Sequence, residues 1–382
     1  MTKLPRLADG RGRLPPGQAR PRERLVNLNV RATNARGKQI AVSRFMLTKA
    51  PSSVLVTGGA GYIGSTLVRR LLRDHCRIVV LDNLERGHRD DVPMEVPLLV
   101  GDIRDPDAVR QALRVFDRPP EACIHLAGLI QVGESTLFPQ LYHDVNVEGT
   151  QVVTEACLEM GVPAMVFASS AAVLRPLESV DARLDEDSPV GPESPYGSSK
   201  LKGEYTMRAA AETGRMSTMA LRLFNVAGAA FGQSEKHEPE THLIPLALRA
   251  GRGDLPPLRV FGTDLPTPDG TCLRDYVHVA DVVEAFARAA ALCVQRTAQG
   301  DTSFQVLHVG SGEPRSVREV TRMCGLVLDK TVPMLEHPRR PGDVPALVAN
   351  PALLEQILGI VPNPDLARMV LDAARALGMM PT

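Results

Sequence analysis

The sequence predicts an α/β fold: a doubly wound, mostly parallel sheet with a smaller C-terminal α/β lobe beside it. Two observations carry this expectation. Short, continuously apolar runs alternate with helical stretches through the first part of the chain, the pattern of βαβ units whose strands are covered on both faces. The first of these runs ends directly in glycines that open a helix, as a phosphate-binding strand-to-helix turn requires.

The elements follow in order. Residues 54–57 read as the first strand, and a helical pattern runs from about 63 to 73. Residues 77–81 form a second β-branched run closed by Asp82. Apolar runs at 98–100, 122–126, 165–168 and 219–224 read as further strands, with helical stretches near 105–115, 140–160 and 196–213 between them. After about residue 225 the rhythm breaks. Segments rich in Pro, Gly and charge (230–241, 251–257, 262–272, 336–346) separate helices near 242–250, 279–293, 316–323 and 364–377. The organisation expected is a disordered extension over 1–50, a dinucleotide-binding domain over 51–225 and a mainly substrate-binding lobe over 226–382, interleaved with that domain.

Composition narrows the class. The chain has 382 residues, 44% of them hydrophobic, enough for a sizeable core. Its 44 basic and 44 acidic residues cancel, but residues 1–50 hold 12 and 2 of them, which leaves 32 and 42 for the remainder. An acidic body argues against a nucleic-acid-binding core. The basic extension has no sustained periodicity. A translation start further down at Met46, a solvated extension and an Arg-rich targeting or anion-binding arm all fit it. No apolar run approaches the roughly 20 residues of a membrane span, and no apolar signal core is visible. The six cysteines are scattered and never form a C-x-x-C pair. That argues against a zinc knuckle or disulfide scaffold, so no metal site is expected and a reducing cytoplasm is the expected location.

The run VLVTGGAGYIG places a strand before Gly58, Gly61 and Gly64 and a helix after them. This is the context in which a G-x-x-G-x-x-G turn becomes a Rossmann-type dinucleotide site. Asp82, 18 residues beyond Gly64, ends the next strand. A carboxylate there accepts from a ribose diol and repels a 2′-phosphate, which favours NAD over NADP. Asp102 and Ile103, after the third strand, suit the clasp of an adenine; a helix-capping or solvated Asp102 fits the spacing equally well.

PYGSSK supplies Tyr196 and Lys200 four residues apart on one helix face. A nearby ammonium is expected to lower the phenol's pKa from about 10 and fit it to take a proton from a hydroxyl. FASSAAV ends the fifth strand, so Ser169 and Ser170 reach the crevice. Ser170 is the expected partner of the reacting oxygen, and Ser169 caps the turn or shares that task.

With TGGAGYIGS, LDNLERG, GDIRD, HLAGLIQVGES, DVNVEGT, SPYGSSK, LRLFNVAGA, ETHLIPLAL, VFGTDLPTPDGTCLRDYVHVADV and PRRPGDVPALVANP in place, residues 54–377 resemble the extended short-chain dehydrogenase/reductase family, and within it the UDP-glucose 4-epimerase branch. The resemblance implies bound NAD contacted by Gly58, Gly61, Tyr62, Ile63, Gly64, Asp82, Asn83, Asp102, Ile103, Ala127, Gly128, Asn146, Lys200 and Phe224. It implies Tyr196 as base with Ser170 and Lys200 assisting. It implies a UDP-hexose held by Asn225, His242, Leu243, Phe261, Arg274, Arg340 and Asp343, with Leu347 gating the hexose, and a homodimer through the stretches 140–160 and 196–213. Arginine forks independently suit diphosphate oxygens.

Departures from the branch are Ile130, where a lysine is usual; Leu174–Arg175, where Tyr-Gly is common; His242, where asparagine is frequent; and a loop one residue longer between Ser170 and Tyr196. A nucleotide-sugar 4,6-dehydratase would need an acid/base pair where Ala171 and Ala172 stand. A simple dehydrogenase would accumulate NADH. A non-catalytic dinucleotide sensor would have lost Tyr196 or Lys200. The expected reaction is the interconversion of UDP-galactose and UDP-glucose, with N-acetylhexosamine forms as the nearest alternative.

Overall fold

The structure is a computed structural model that describes residues 29–33, 39–43, 50–176, 179–237, 239–340 and 344–380, with backbone only for the first two segments. The chain divides into residues 1–46 and 47–382. In the first unit, Asn29–Thr33 pairs antiparallel with Gln39–Ser43. That ladder differs from the unstructured extension expected over those ten residues.

The second unit begins with β1 (Ser53–Thr57), α1 (Tyr62–Leu72), β2 (Arg77–Asp82), β3 (Leu98–Val100), α2 (Pro106–Arg114) and β4 (Ala122–His125). After β4, short helices lead into α3 (Gly149–Glu159) through a π-turn at Asp144–Glu148. Next come β5 (Ala164–Ser170), α4 (Pro195–Glu212), β6 (Ser217–Leu223), β7 (Asn225–Ala227), α5 (Leu243–Arg252), β8 (Leu258–Phe261), β9 (Leu273–His278) and α6 (Val279–Ala298). The chain finishes with β10 (Phe304–Val309), β11 (Pro314–Ser316), α7 (Val317–Leu328), β12 (Met334–His337), β13 (Ala346–Leu347), α8 (Ala352–Leu358) and α9 (Leu366–Ala376).

The main sheet has seven strands in the order β10-β6-β5-β4-β1-β2-β3, all parallel. Successive residues of a strand face opposite sides. Accordingly Val54 and Val56 join one core with Leu67 of α1 and Phe286 of α6, while Leu55 joins the other with Leu113 of α2, Val153 of α3 and Met207 of α4. Burial on both faces is why these strands read as unbroken apolar runs. The strand order reverses between β1 and β4, and the crevice at that switch point is where such sheets hold ligands.

The smaller lobe packs α5, α7 and α9 over a core that includes Leu248, Leu258, Val260, Val320 and Val370. Its strands are short: β8 pairs with β12, and β9 pairs with β7, β11 and β13. Sequence reading found four of the helices of this half and missed α8 and these strands, because runs of two to seven residues between Pro- and Gly-rich turns carry little periodicity. Beyond residue 225 the two parts interleave: β10 is the edge strand of the main sheet, and α6 packs on a face of that sheet.

Candidate active site

A cavity of about 630 Å³ opens at the carboxyl ends of the parallel strands. It is lined by the turn after β1, by Asp82 and Asn83, by Asp102 and Ile103, by Leu126–Ile130, by the end of β5 and by Phe224 and Asn225. The three glycines divide their tasks. Gly58 turns at φ +71° with its Cα against the Ala127 backbone, and at Gly64 a Cβ would stand 2.0 Å from the Gly58 carbonyl oxygen. At Gly61 a Cβ would meet only that oxygen, at 3.5 Å, so the backbone is bare on the cavity side. The turn thereby brings the amino end of α1 to the cavity, where its free N–H groups suit a pyrophosphate.

Asp82 is buried at the end of β2. Its Oδ2 accepts from the Ala60 N–H at 3.0 Å and its Oδ1 from the Leu84 N–H at 2.9 Å. Burial raises its pKa, and those two donors oppose the rise. The Arg104 guanidinium at 2.6 Å lowers the Asp102 pKa, against a smaller opposing effect of burial. The cap of α2 is Asp105, not Asp102. Asn146 braces the wall: its amide donates to the Leu129 carbonyl at 2.9 Å and to Ser199 Oγ at 3.0 Å, and its oxygen accepts from the Leu129 N–H at 2.8 Å. From the π-turn it fixes the wall segment 127–129 from behind.

Ser194 caps α4, its Oγ accepting from the Gly197 N–H at 3.0 Å, and Pro195 opens the first turn. That cap starts the helix so that Tyr196 and Lys200 both face inward, 9% and 4% exposed. Both line the cavity with Ser170. Ser170 Oγ accepts from the Ala172 N–H at 3.2 Å; beside the Tyr196 phenol it favours the phenolate, yet burial dominates and raises the phenol's pKa. Burial also lowers the Lys200 pKa, to about 8. Its Nζ lies 5.1 Å above the Phe167 ring, beside Gly128 and near His125. His125 is kept neutral by burial and by Lys200, its pKa near 3, and sits between Thr57 Oγ1 at 2.6 Å and Thr150 Oγ1 at 3.0 Å.

The other half of the cavity is lined by Asn225, His242, Leu243, Phe261, Arg274, Arg340 and Leu347. Arg274 lies opposite Leu347 in the β9–β13 register. The Arg340 guanidinium lies 3.9 Å above the Phe261 ring. His242 Nδ1 is 2.9 Å from Glu240 and 3.6 Å from Glu235, and these carboxylates outweigh burial to raise its pKa. Asp343 lies outside the described residues. Ile130 is on the cavity wall, whereas Leu174 is buried beside Phe224. Two ion pairs cross the rim: Arg86–Glu134 at 2.8 Å and Lys236–Asp91 at 2.5 Å.

Sequence reasoning missed Glu134, Arg259 of the cavity wall, and Glu204, which pairs with Arg222 behind the site. Only Glu204 had a legible signal, as the third member of the Tyr196–Lys200 helix face.

Fold and site together define a nucleotide-binding α/β enzyme with a Ser–Tyr–Lys centre at the sheet's switch point. The chain belongs to the NAD dependent epimerase/dehydratase family, whose profile matches residues 54–302. It is 41% identical over 320 residues to a UDP-glucose 4-epimerase of Azospirillum brasilense, an alignment covering 83% of this chain and 89% of that one. It superimposes with a TM-score of 0.78 on the UDP-glucose 4-epimerase of Brucella ovis in complex with NAD, at 36% identity over 86% of this chain and 98% of that one. The Bifidobacterium longum UDP-glucose 4-epimerase in complex with NAD+ and UDP gives 0.77 at 28% identity, over 85% and 98%.

Proposed function

We propose that the chain is a UDP-glucose 4-epimerase that interconverts UDP-galactose and UDP-glucose through a 4-keto intermediate, with NAD bound throughout. One observation carries the reading: the Ser170–Tyr196–Lys200 centre shares a cavity with the bare backbone at Gly61 on one side and with Phe261, Arg274 and Arg340 on the other. The identity to curated UDP-glucose 4-epimerases supports it.

The residues fit NAD. The glycine turn leaves room for a pyrophosphate, and the buried Asp82 carboxylate suits a ribose diol. When bound, NAD supplies hydride acceptance and return at C4, and a positive ring whose field favours the Tyr196 phenolate. The Tyr196 oxygen takes the proton of the C4 hydroxyl, with Ser170 donating to the same reacting centre. Lys200 steadies the phenolate charge. The phenol then returns its proton to the C4 oxygen after the ketone has turned over. Arg274 and Arg340 hold the diphosphate while Phe261 takes the uracil, so remote binding energy keeps the ketone from leaving.

Leu347, partly buried on the cavity wall, supports the glucose/galactose pair as the main substrates; comparable turnover of UDP-N-acetylglucosamine would overturn that preference. The reading places the enzyme in galactose and carbohydrate metabolism. Six unpaired thiols fit a reducing cytoplasm, and no helix of the described residues is long and apolar enough to cross a membrane. Exposed Val132, Leu137, Phe138 and Tyr205 support a homodimer; a monomer in light scattering would contradict it. The reaction is tested by incubating the protein with UDP-galactose and no added cofactor. UDP-glucose appearing without free NADH is expected, and a released keto product with NADH would refute it.

A further inference from the structure

The epimerase reading, on which this inference rests, gives tasks to Ser170, Tyr196 and Lys200 but none to the ionic cluster directly behind them. Ser169, Glu204 and Arg222 are 2%, 3% and 4% exposed. Glu204 follows Tyr196 and Lys200 at the same four-residue spacing, so all three side chains share one face of α4. Its carboxylate accepts from Ser169 Oγ at 2.6 Å and from Arg222 Nε and Nη2 at 2.8 Å each. Arg222 Nη1 is 3.4 Å from Nε2 of His308, whose Nδ1 lies 3.0 Å from the Leu184 carbonyl oxygen. Burial, and then Arg222, push the His308 pKa down to about 4, so the imidazole is neutral and can accept from the guanidinium. The end of β5, α4, β6 and β10 each contribute one member.

A buried ion pair is weak evidence for stability, since apolar replacements often serve as well. What this one fixes is position. Neighbouring residues of a strand point to opposite sides: Ser169 turns back into the cluster and Ser170 forward to the phenol. We propose that Ser169, Glu204 and Arg222 are positioning residues, a clamp that pins the end of β5 to α4 and so holds the Ser170 hydroxyl on the Tyr196 phenol.

Ser169→Ala tests this in the full-length, cofactor-loaded protein. Glu204 keeps both Arg222 contacts in that variant, so the fold is expected to stand. Losing one hydrogen bond's worth of positioning lowers kcat roughly three- to tenfold, with KM nearly unchanged. Because Ser170 favours the phenolate, a loosened Ser170 moves the acid limb of kcat, and the near-ultraviolet titration of the phenol, to higher pH. Glu204→Gln shifts both in the same direction, and adding Ser169→Ala to it changes little further. An unmoved acid limb and phenol titration overturn the proposal, as does a kcat loss that only parallels a lower melting temperature. If the parent protein fails to epimerise UDP-galactose, the functional reading fails instead, and the phenol titration still decides the clamp.

Discussion

The glycine turn makes opposite predictions at two positions three residues apart. A Cβ at Gly64 would stand 2.0 Å from the Gly58 carbonyl oxygen and 2.8 Å from Gly59 Cα, where ordinary contact begins at 3.4 Å. Both neighbours are backbone, so no rotamer change relieves the clash, and the turn must open by more than 1 Å. Overpacking of this kind costs about 1–3 kcal/mol, or ~2–10 °C of melting temperature. It also displaces the N–H groups that would meet a pyrophosphate. A Cβ at Gly61 meets only the Gly58 oxygen at 3.5 Å, and the extended backbone there, φ −79° and ψ 175°, accepts alanine. The methyl fills cavity space that the cofactor needs. Melting of nucleotide-stripped protein, with NAD per chain measured after gel filtration, separates the two effects. Gly64→Ala is expected to lose both stability and NAD. Gly61→Ala is expected to melt like the parent and lose NAD. A Gly64→Ala protein with parental melting, or a Gly61→Ala protein with full NAD content, would refute the reasoning.

Burial lowers the Lys200 pKa from 10.5 to about 8. Between those values the unfolded chain binds the extra proton more tightly, so stability rises with pH through that window, and the penalty is fully present below about 8. Lys200→Met is therefore expected to stabilise the nucleotide-free protein at pH 7 by about 1–3 kcal/mol while depressing kcat; a lower melting temperature would contradict this. Arg340, stacked 3.9 Å over Phe261, should act on substrate binding alone. Steady-state kinetics of Arg340→Ala are expected to show KM raised about tenfold with kcat little changed.

Much of this was legible because parallel strands covered on both faces leave an unmistakable record. Val54, Leu55 and Val56 are all apolar for the plain reason that each side of the sheet is buried. The glycine turn and Tyr196–Lys200 were legible because each fits its task within a few residues of chain. What stayed hidden depends on contacts distant in sequence. Glu204 meets Arg222 and Ser169 only once α4 has packed on the sheet. Asn146 meets the Leu129 backbone only once the π-turn has packed against the wall. The phenol's proton affinity could not be read from an i, i+4 lysine, because burial of the whole centre is the larger effect.

The central claim is that one phenol in this cavity moves the proton. Tyr196→Phe removes a single oxygen from a ring that stays packed edge-on to Tyr142 at 6.4 Å. Turnover of UDP-galactose by that variant, measured alongside its NAD content, is expected to fall by about 10²–10⁴-fold with the cofactor still bound. Turnover near the parental rate with NAD retained would show that the proton travels by another group.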